Sequence, residues 1–183
     1  MVLCQVRQSA EHRKTRMDNG PSHVRSQNKH YYSRGNLRRA REHTNNHPEL
    51  KRQSELLDSI PDIAETTAAL LLSEITDITQ YRSARQVAAY AGLVPRERQS
   101  GSSVRGRTRL SKMGNARLRR ALYFPAITAL RCSEFFQSWA RGLQERGKSK
   151  MSVICAVMRK LIHLAYGVLK SEKPFDPAWA KTA

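Results

Sequence analysis

The chain has 183 residues, with 33 Lys and Arg against 15 Asp and Glu, a formal charge of +18 and a pI near 10.7. The length suits one domain with a tail, and an apolar share of 39% permits a core. The charge selects a polyanion as partner, nucleic acid foremost, while no apolar run approaches the roughly 20 residues of a spanning helix and no secretory leader is recognisable.

Residues 1–46 are rich in Arg, His, Asn, Ser and Gln and poor in aliphatics. Five of the six histidines lie here, His12, His23, His30, His43 and His47 at its edge. A His-rich tract can bind metal, but no spacing repeats, and the segment reads as a low-order basic arm that adds contacts to phosphates. Cys4, Cys132 and Cys155 show no metal-ligand spacing and suit reduced thiols in a cytoplasmic protein.

Order is expected to begin near Pro48, which suits the first turn of a helix, and the ordered domain to span 47–175, with a tail at 176–183. Leu50, Leu56 and Leu57 can share a face, and Ile60-Pro61 ends the helix. A second helix, about Ala64 to Ile75, is apolar all round and so reads as buried. The pair looks like a helix-hairpin-helix whose turn lacks the usual Pro-Gly-x-Gly glycines. Asp62 and Ala64 stand in those positions, so the shape is expected without a strong phosphate grip. Ser83 caps a third helix through Tyr90, stopped by Gly92. A long helix from about Asn115 carries Leu118, Leu122, Ile127 and Leu130, with a kink expected at Pro125. Phe135 to Leu143, ended by Gly147, and Ser152 to Leu169 complete a set of amphipathic helices. His163 on the last one reads as a packed or surface histidine. With almost no alternating pattern, the fold class is all-α.

Between these helices, Ala89 to Arg120 holds a polar Ser/Gly loop in a dense positive field. Arg96 and Arg98 precede the loop, Arg105, Arg107, Arg109 and Lys112 follow it, and Arg117, Arg119 and Arg120 open the next helix. Glu97 is the only acid in that stretch. Guanidinium groups hold phosphate bidentately, which makes these cations the candidate nucleic-acid ligands. From residue types alone, such a loop is more often a flexible surface turn than a catalytic one.

The motifs Leu57-Asp58-Ser59-Ile60-Pro61, Thr67 to Ile75, Tyr81-Arg82-Ser83-Ala84-Arg85-Gln86 through Leu93, and Pro95-Arg96 with Ser100-Gly101, Ser111-Lys112 and Gly114-Asn115 carry a resemblance. Together they resemble the C-terminal half of the IS-one-ten group of insertion-sequence transposases, which is similar to Piv-type DNA invertases. The resemblance spans about Asn45 to Pro177. It implies DNA transposition through a composite site. A RuvC-like nuclease half supplies four metal-binding acids and therefore Mg²⁺, and the helical half supplies a serine. That serine corresponds to Ser100, before Gly101, with Ser102 and Ser103 as rivals. The resemblance further implies DNA as partner, a structured guide RNA in some members, and an intact transposase copy or a second copy of this chain. It suggests a cytoplasmic, nucleoid-associated protein with no role at a membrane.

Residues 1–41 match neither the nuclease half nor the long helix that links the halves, so a truncated or frameshifted copy is expected. No cofactor is expected on this chain alone, and no metal site. Glu74, Asp77 and Glu97 are spread over separate elements and cannot jointly hold a divalent ion. Two functions of different class follow. One is a transposase polypeptide, active or formerly active in DNA recombination. The other is a non-catalytic nucleic-acid-binding remnant.

Overall fold

The computed structural model describes residues 34–75, 77–96, 99–100, 104–105, 109–111 and 113–180. Backbone contacts divide the chain into two units, 1–52 and 53–183. In the first, helix α1 (Arg34–Asn46) is followed by the start of α2 (Pro48–Asp58), which runs on into the second. Helix thus begins well before Pro48, where the sequence placed the onset of order. The composition hid it, because α1 has almost no apolar stripe. Its visible local support is an i,i+4 ion pair, Arg38 Nε to Glu42 Oε1 at 2.9 Å. The rings of His43 and His47, also four residues apart, meet edge to face at 4.3 Å between centroids. Burial first, and the charge of His47 second, lower the pKa of His43. The remainder of the expected arm, 1–33, lies outside the described residues.

The second unit is helical, as the spacing of its apolar residues predicts. After α2 come α3 (Glu65–Glu74), a 3₁₀ turn (Ile78–Gln80) and α4 (Ala84–Tyr90), then α5 (Ala116–Ala121), α6 (Tyr123–Cys132), α7 (Glu134–Glu145), α8 (Lys150–Ser171) and the short α9 (Pro177–Ala180). Helix α8 is the centre, packing against α4, α6, α7 and the 3₁₀ turn. Its Val153, Val157, Leu161, Ile162, Ala165 and Val168 are buried, with Leu57, Leu71, Val87, Leu118, Leu122 and Phe136 around them. By length and mean hydropathy α8 would suffice to cross a membrane, yet half of its apolar window is buried inside this domain. It serves as a core helix, with Arg159 and Lys160 interrupting the apolar run.

Local signals set the helix ends. Gly92 (φ +68) and Gly147 (φ +73) take left-handed geometry after α4 and α7. Behind them, Leu93 N–H bonds to Ala88 O (2.9 Å) and Lys148 N–H to Leu143 O (3.2 Å), which satisfies the last carbonyls. Ser149 caps α8 by accepting from Ser152 N–H. Ser83 stands at the N-cap of α4 but makes no side-chain cap bond; Gln86 Oε1 reaches back to Arg82 N–H instead, at 2.7 Å.

The kink expected at Pro125 appears three residues earlier. Pro125 has no N–H to offer Ala121 O, and its ring excludes that carbonyl, so α5 stops at Ala121 and α6 restarts at Tyr123 with Pro125 in its first turn. In the α2–α3 turn, Asp62 is left-handed (φ +69). The backbone demand that glycine meets in a helix-hairpin-helix is therefore real here and is met by aspartate. Ala64 is extended (φ −79, ψ 164) and merely precedes α3. In the segment expected as a tail, Asp176 Oδ1 accepts from Ala178 N–H at 2.8 Å at the start of α9. Just before it, Phe175 N–H donates to Ser59 Oγ at 2.8 Å.

One departure from pure helix positions the candidate site. The chain leaves α4 and returns to α5 as a narrow antiparallel hairpin. Strands β1 (Pro95–Arg96) and β4 (Arg109–Leu110) pair near its root, and β2 (Gln99–Ser100) and β3 (Val104–Arg105) pair further out. The root is bound by a polar knot. Asn115 N–H donates to Tyr90 O at 2.6 Å. Its Nδ2 donates to Glu74 Oε2 (2.7 Å) and to Tyr90 Oη (3.1 Å), and its Oδ1 caps α5 by accepting from Arg117 and Leu118 N–H at 2.9 and 3.1 Å. Gly114 (φ +122) passes so close to α4 that a Cβ there would collide with the Tyr90 carbonyl.

Gly114→Ala should therefore lower stability by about 1–3 kcal/mol for the backbone strain alone. Gly142→Ala, where an added Cβ meets nothing within 4 Å inside α7, should instead raise it by roughly 0.5–1 kcal/mol. Thermal unfolding followed by circular dichroism measures both. Equal effects at the two positions would show that the close approach at the root does not constrain the fold.

Candidate nucleic-acid interface

In β1–β4 the register sets Pro95 opposite Leu110 and Arg96 opposite Arg109. In β2–β3 it sets Gln99 opposite Arg105 and Ser100 opposite Val104. Ser111 N–H closes the root on Val94 O at 2.9 Å. Ser100 is thus at the outer end of the hairpin, with only residues 101–103 between it and the returning strand. The rivals Ser102 and Ser103 lie outside the described residues, as do Arg98, Arg107, Lys112 and Glu97. Directly opposed positions in a two-stranded ribbon are neighbours, and like charges there repel by several tenths of a kcal/mol. The register thus sets two arginine positions, 96 and 109, opposite each other at the root. Arg96 itself is exposed, and its Nη1 lies 3.8 Å from the sulfur of Met113, a side chain that is 67% exposed.

The three arginines of α5 divide by role. Arg119 Nη1 donates to Ala91 O at 2.8 Å, which satisfies the C-terminal end of α4. Burial first, and the adjacent Arg120 second, lower its pKa from the ordinary guanidinium value. Arg117 Nη1 lies 3.9 Å from Glu74 Oε1, half exposed over a carboxylate that is only 7% exposed. Arg120 alone of the three stands exposed on the surface. Net charge therefore overstates the number of arginines available to phosphate: two of these three also hold the domain together.

The acids near the site have structural duties as well. Glu74, at the end of α3, is buried under Asn115 and Arg117. Asp77 caps the 3₁₀ turn, its Oδ1 accepting from Thr79 N–H (2.8 Å) and Oγ1 (2.6 Å), and these bonds lower its pKa. Asp62 carries a buried Oδ2 without a hydrogen-bond partner, and burial raises its pKa. Among the described residues no group of three or more His, Cys, Asp or Glu side chains could hold a metal ion, so the described residues do not fit a Mg²⁺ site.

His163 sits half-buried on α8 with its Nε2 buried and without a hydrogen-bond partner. Burial first, then Arg159, Lys160 and Arg85, push its pKa down to about 4. It is a neutral packed histidine at ordinary pH. Sequence reasoning missed Glu74 as the anchor of the root. It also missed the hairpin, whose one signal is the Gly-containing turn between Ser100 and Val104.

With this geometry in view, comparison with known proteins becomes informative. A model described as "Transposase IS116/IS110/IS902 family" matches residues 54–141, from the last turns of α2 into α7. The pilin gene-inverting protein of Moraxella bovis is 38% identical over 130 residues, covering 70% of this chain and 40% of that protein. The transposase for insertion sequence element IS1328 of Yersinia enterocolitica is 34% identical over 121 residues, covering 63% of this chain and 35% of the relative. An uncharacterized 43.6 kDa protein of insertion element IS110 from Streptomyces coelicolor is 30% identical over 117 residues, 64% of this chain and 29% of that protein. The chain thus spans well under half the length of these relatives. The matched region contains the buried root, the hairpin and the arginines of α5, and the chain belongs to the IS110 family of transposases through this helical domain.

Proposed function

We propose that this domain holds DNA during transposase-type recombination and offers the Ser100 hydroxyl to the strand being exchanged. The observation that carries the reading is the hairpin, which sets a serine at the outer end of a ribbon whose strands bear opposed arginines. In such a step Ser100 Oγ forms a bond to phosphorus, the bond from phosphorus to the leaving sugar oxygen breaks, and the hydroxyl proton passes to a base. A serine hydroxyl is a weak nucleophile until that base is supplied. Arginines meet the charge that builds on the phosphoryl oxygens, and Arg96, Arg105 and Arg109 are the hairpin positions suited to it.

Among the described residues no cluster of His, Cys, Asp or Glu could hold a divalent ion. On this reading the proton acceptor and the divalent ion are supplied by the nuclease half that the family resemblance implies. Glu74 and Asp77 cannot serve without dismantling the root or the 3₁₀ turn. That same division favours the second reading, in which the chain binds nucleic acid and does no chemistry.

Duplex DNA should bind tightly at low salt and weakly at high salt. Replacing Arg105, Arg107 and Arg109 together by Ala should reduce the slope of log K against log salt by about 0.9 for each phosphate that these side chains neutralise. Fluorescence anisotropy over a salt series measures it, and an unchanged slope would place the contacts elsewhere, foremost on the basic segment before α1.

The chain by itself should neither cut nor join DNA, because a hydroxyl lacking its base leaves most of the barrier standing. The assay mixes purified chain, Mg²⁺ and supercoiled DNA carrying the element's ends, with and without an intact transposase. Strand transfer that needs the intact protein and drops when this chain carries Ser100→Ala supports the composite site. Cleavage by the chain alone, abolished by Ser100→Ala, would overturn the division of labour. Binding without any contribution to strand transfer would favour the non-catalytic reading.

A further inference from the structure

Among the described residues only three large apolar side chains are strongly exposed, Met113, Phe124 and Met151. Phe124 is the most exposed, at 73%, in the first turn of α6. An isolated exposed phenylalanine is unremarkable by itself, but the surroundings of this one are specific. Arg120 lies one turn before it and Arg131 two turns after it, and Thr128 lies between them along the helix. All three are exposed. Thr128 Oγ1 turns its hydrogen bond back onto Phe124 O at 3.2 Å, so that hydroxyl is already engaged. From Ala116 to Ser133 the sequence contains no acid. Tyr123 stands against the Phe124 ring edge to face, 5.6 Å between centroids, and Pro125 and Ala126 behind it are buried. A ring held over a packed helix turn and bordered by cations has the composition of a stacking platform for nucleic-acid bases.

We propose that Phe124 stacks on an unpaired base of DNA while Arg120 and Arg131 hold phosphates on either side. Arg131 lies about 10 Å along the axis from Phe124 at the rise of an α-helix, a distance its long side chain can shorten by reaching toward a phosphate beside the stacked base. The inference rests on the reading that this domain holds DNA, and it adds which state of the DNA is held. Duplex DNA presents its bases only edge-on, so a ring needs an opened strand, and strand exchange opens one. The surface is distinct from the hairpin, and its contribution is separable from the salt-dependent phosphate contacts there.

The test uses the full chain and a short oligonucleotide carrying 2-aminopurine, as a single strand, as a duplex and as RNA of the same sequence. Stacking quenches the 2-aminopurine emission. Phe124→Ala should weaken single-stranded DNA binding about five- to a hundredfold and abolish the quench, while duplex affinity changes by less than about twofold and Phe124→Trp keeps both. Circular dichroism of each variant checks the fold, which an exposed position should leave intact. Wild-type single-strand affinity in Phe124→Ala, or equal losses on single strand and duplex, would overturn the proposal while leaving duplex binding by the domain standing. Stronger, Phe124-dependent quenching by the RNA would overturn the assignment to DNA. Failure of the unaltered chain to bind any of the three would overturn the DNA-holding reading along with it.

Discussion

The root of the hairpin hangs on one buried contact, the Glu74 carboxylate under Asn115. Glu74 sits in the last turn of α3, where the helix dipole already disfavours negative charge, and it is 7% exposed. An uncompensated carboxylate there would be costly. Asn115 Nδ2 at 2.7 Å and Arg117 at 3.9 Å compensate it. The same asparagine caps α5 with its other side-chain atom and ties its own N–H to the last carbonyl of α4. One residue therefore joins the ends of α3 and α4 to the beginning of α5. Val94 and Ser111, the two ends of the hairpin, are held at a fixed separation because the helices they lead from and to are locked there.

A hairpin held in this way can carry charge that the core could not. Cations on a helix face must share space with the packing of that face, and α5 shows the outcome. Arg119 is drawn onto Ala91 O and Arg117 over Glu74, leaving Arg120 outside. The hairpin instead sets Arg96 and Arg109 opposite one another in register. The arginines are thus divided between those with internal partners, Arg117 and Arg119, and exposed ones such as Arg96 and Arg120.

The helical core was legible in the sequence because its apolar residues recur at helical spacing and its ends carry Gly92 and Gly147. Where the reading missed, the physics is specific. Helix α1 lacks an apolar stripe, so its period is invisible and its ion pair, Arg38–Glu42, looks like ordinary surface charge. The hairpin strands are only two residues each and include arginine, glutamine and serine where a core strand would show Val or Ile, so no alternation is visible in the sequence. Glu74 reads as one more solvated acid, since its importance lies in a contact 41 residues away in sequence, with Asn115. Pro125 signalled a break but not its place, because the proline excludes a carbonyl four residues earlier and the helix yields before the ring rather than at it. Among the candidate site residues, Arg96 and Arg120 are exposed, and the internal roles of Arg117 and Arg119 emerge only in the folded chain.

The α2–α3 turn bears on how the domain divides its work. Its backbone visits the left-handed conformation that suits a glycine in a phosphate-gripping hairpin, yet the residue there is Asp62, with a raised pKa and a buried oxygen lacking a hydrogen-bond partner. A carboxyl group at that point opposes an approaching phosphate whenever it ionises. The turn keeps the shape that packs Ile60 and Ile63 into the core without the electrostatics of a DNA grip. Among the described residues, then, the turn contributes shape and packing, while exposed cations such as Arg96 and Arg120 stand elsewhere on the domain.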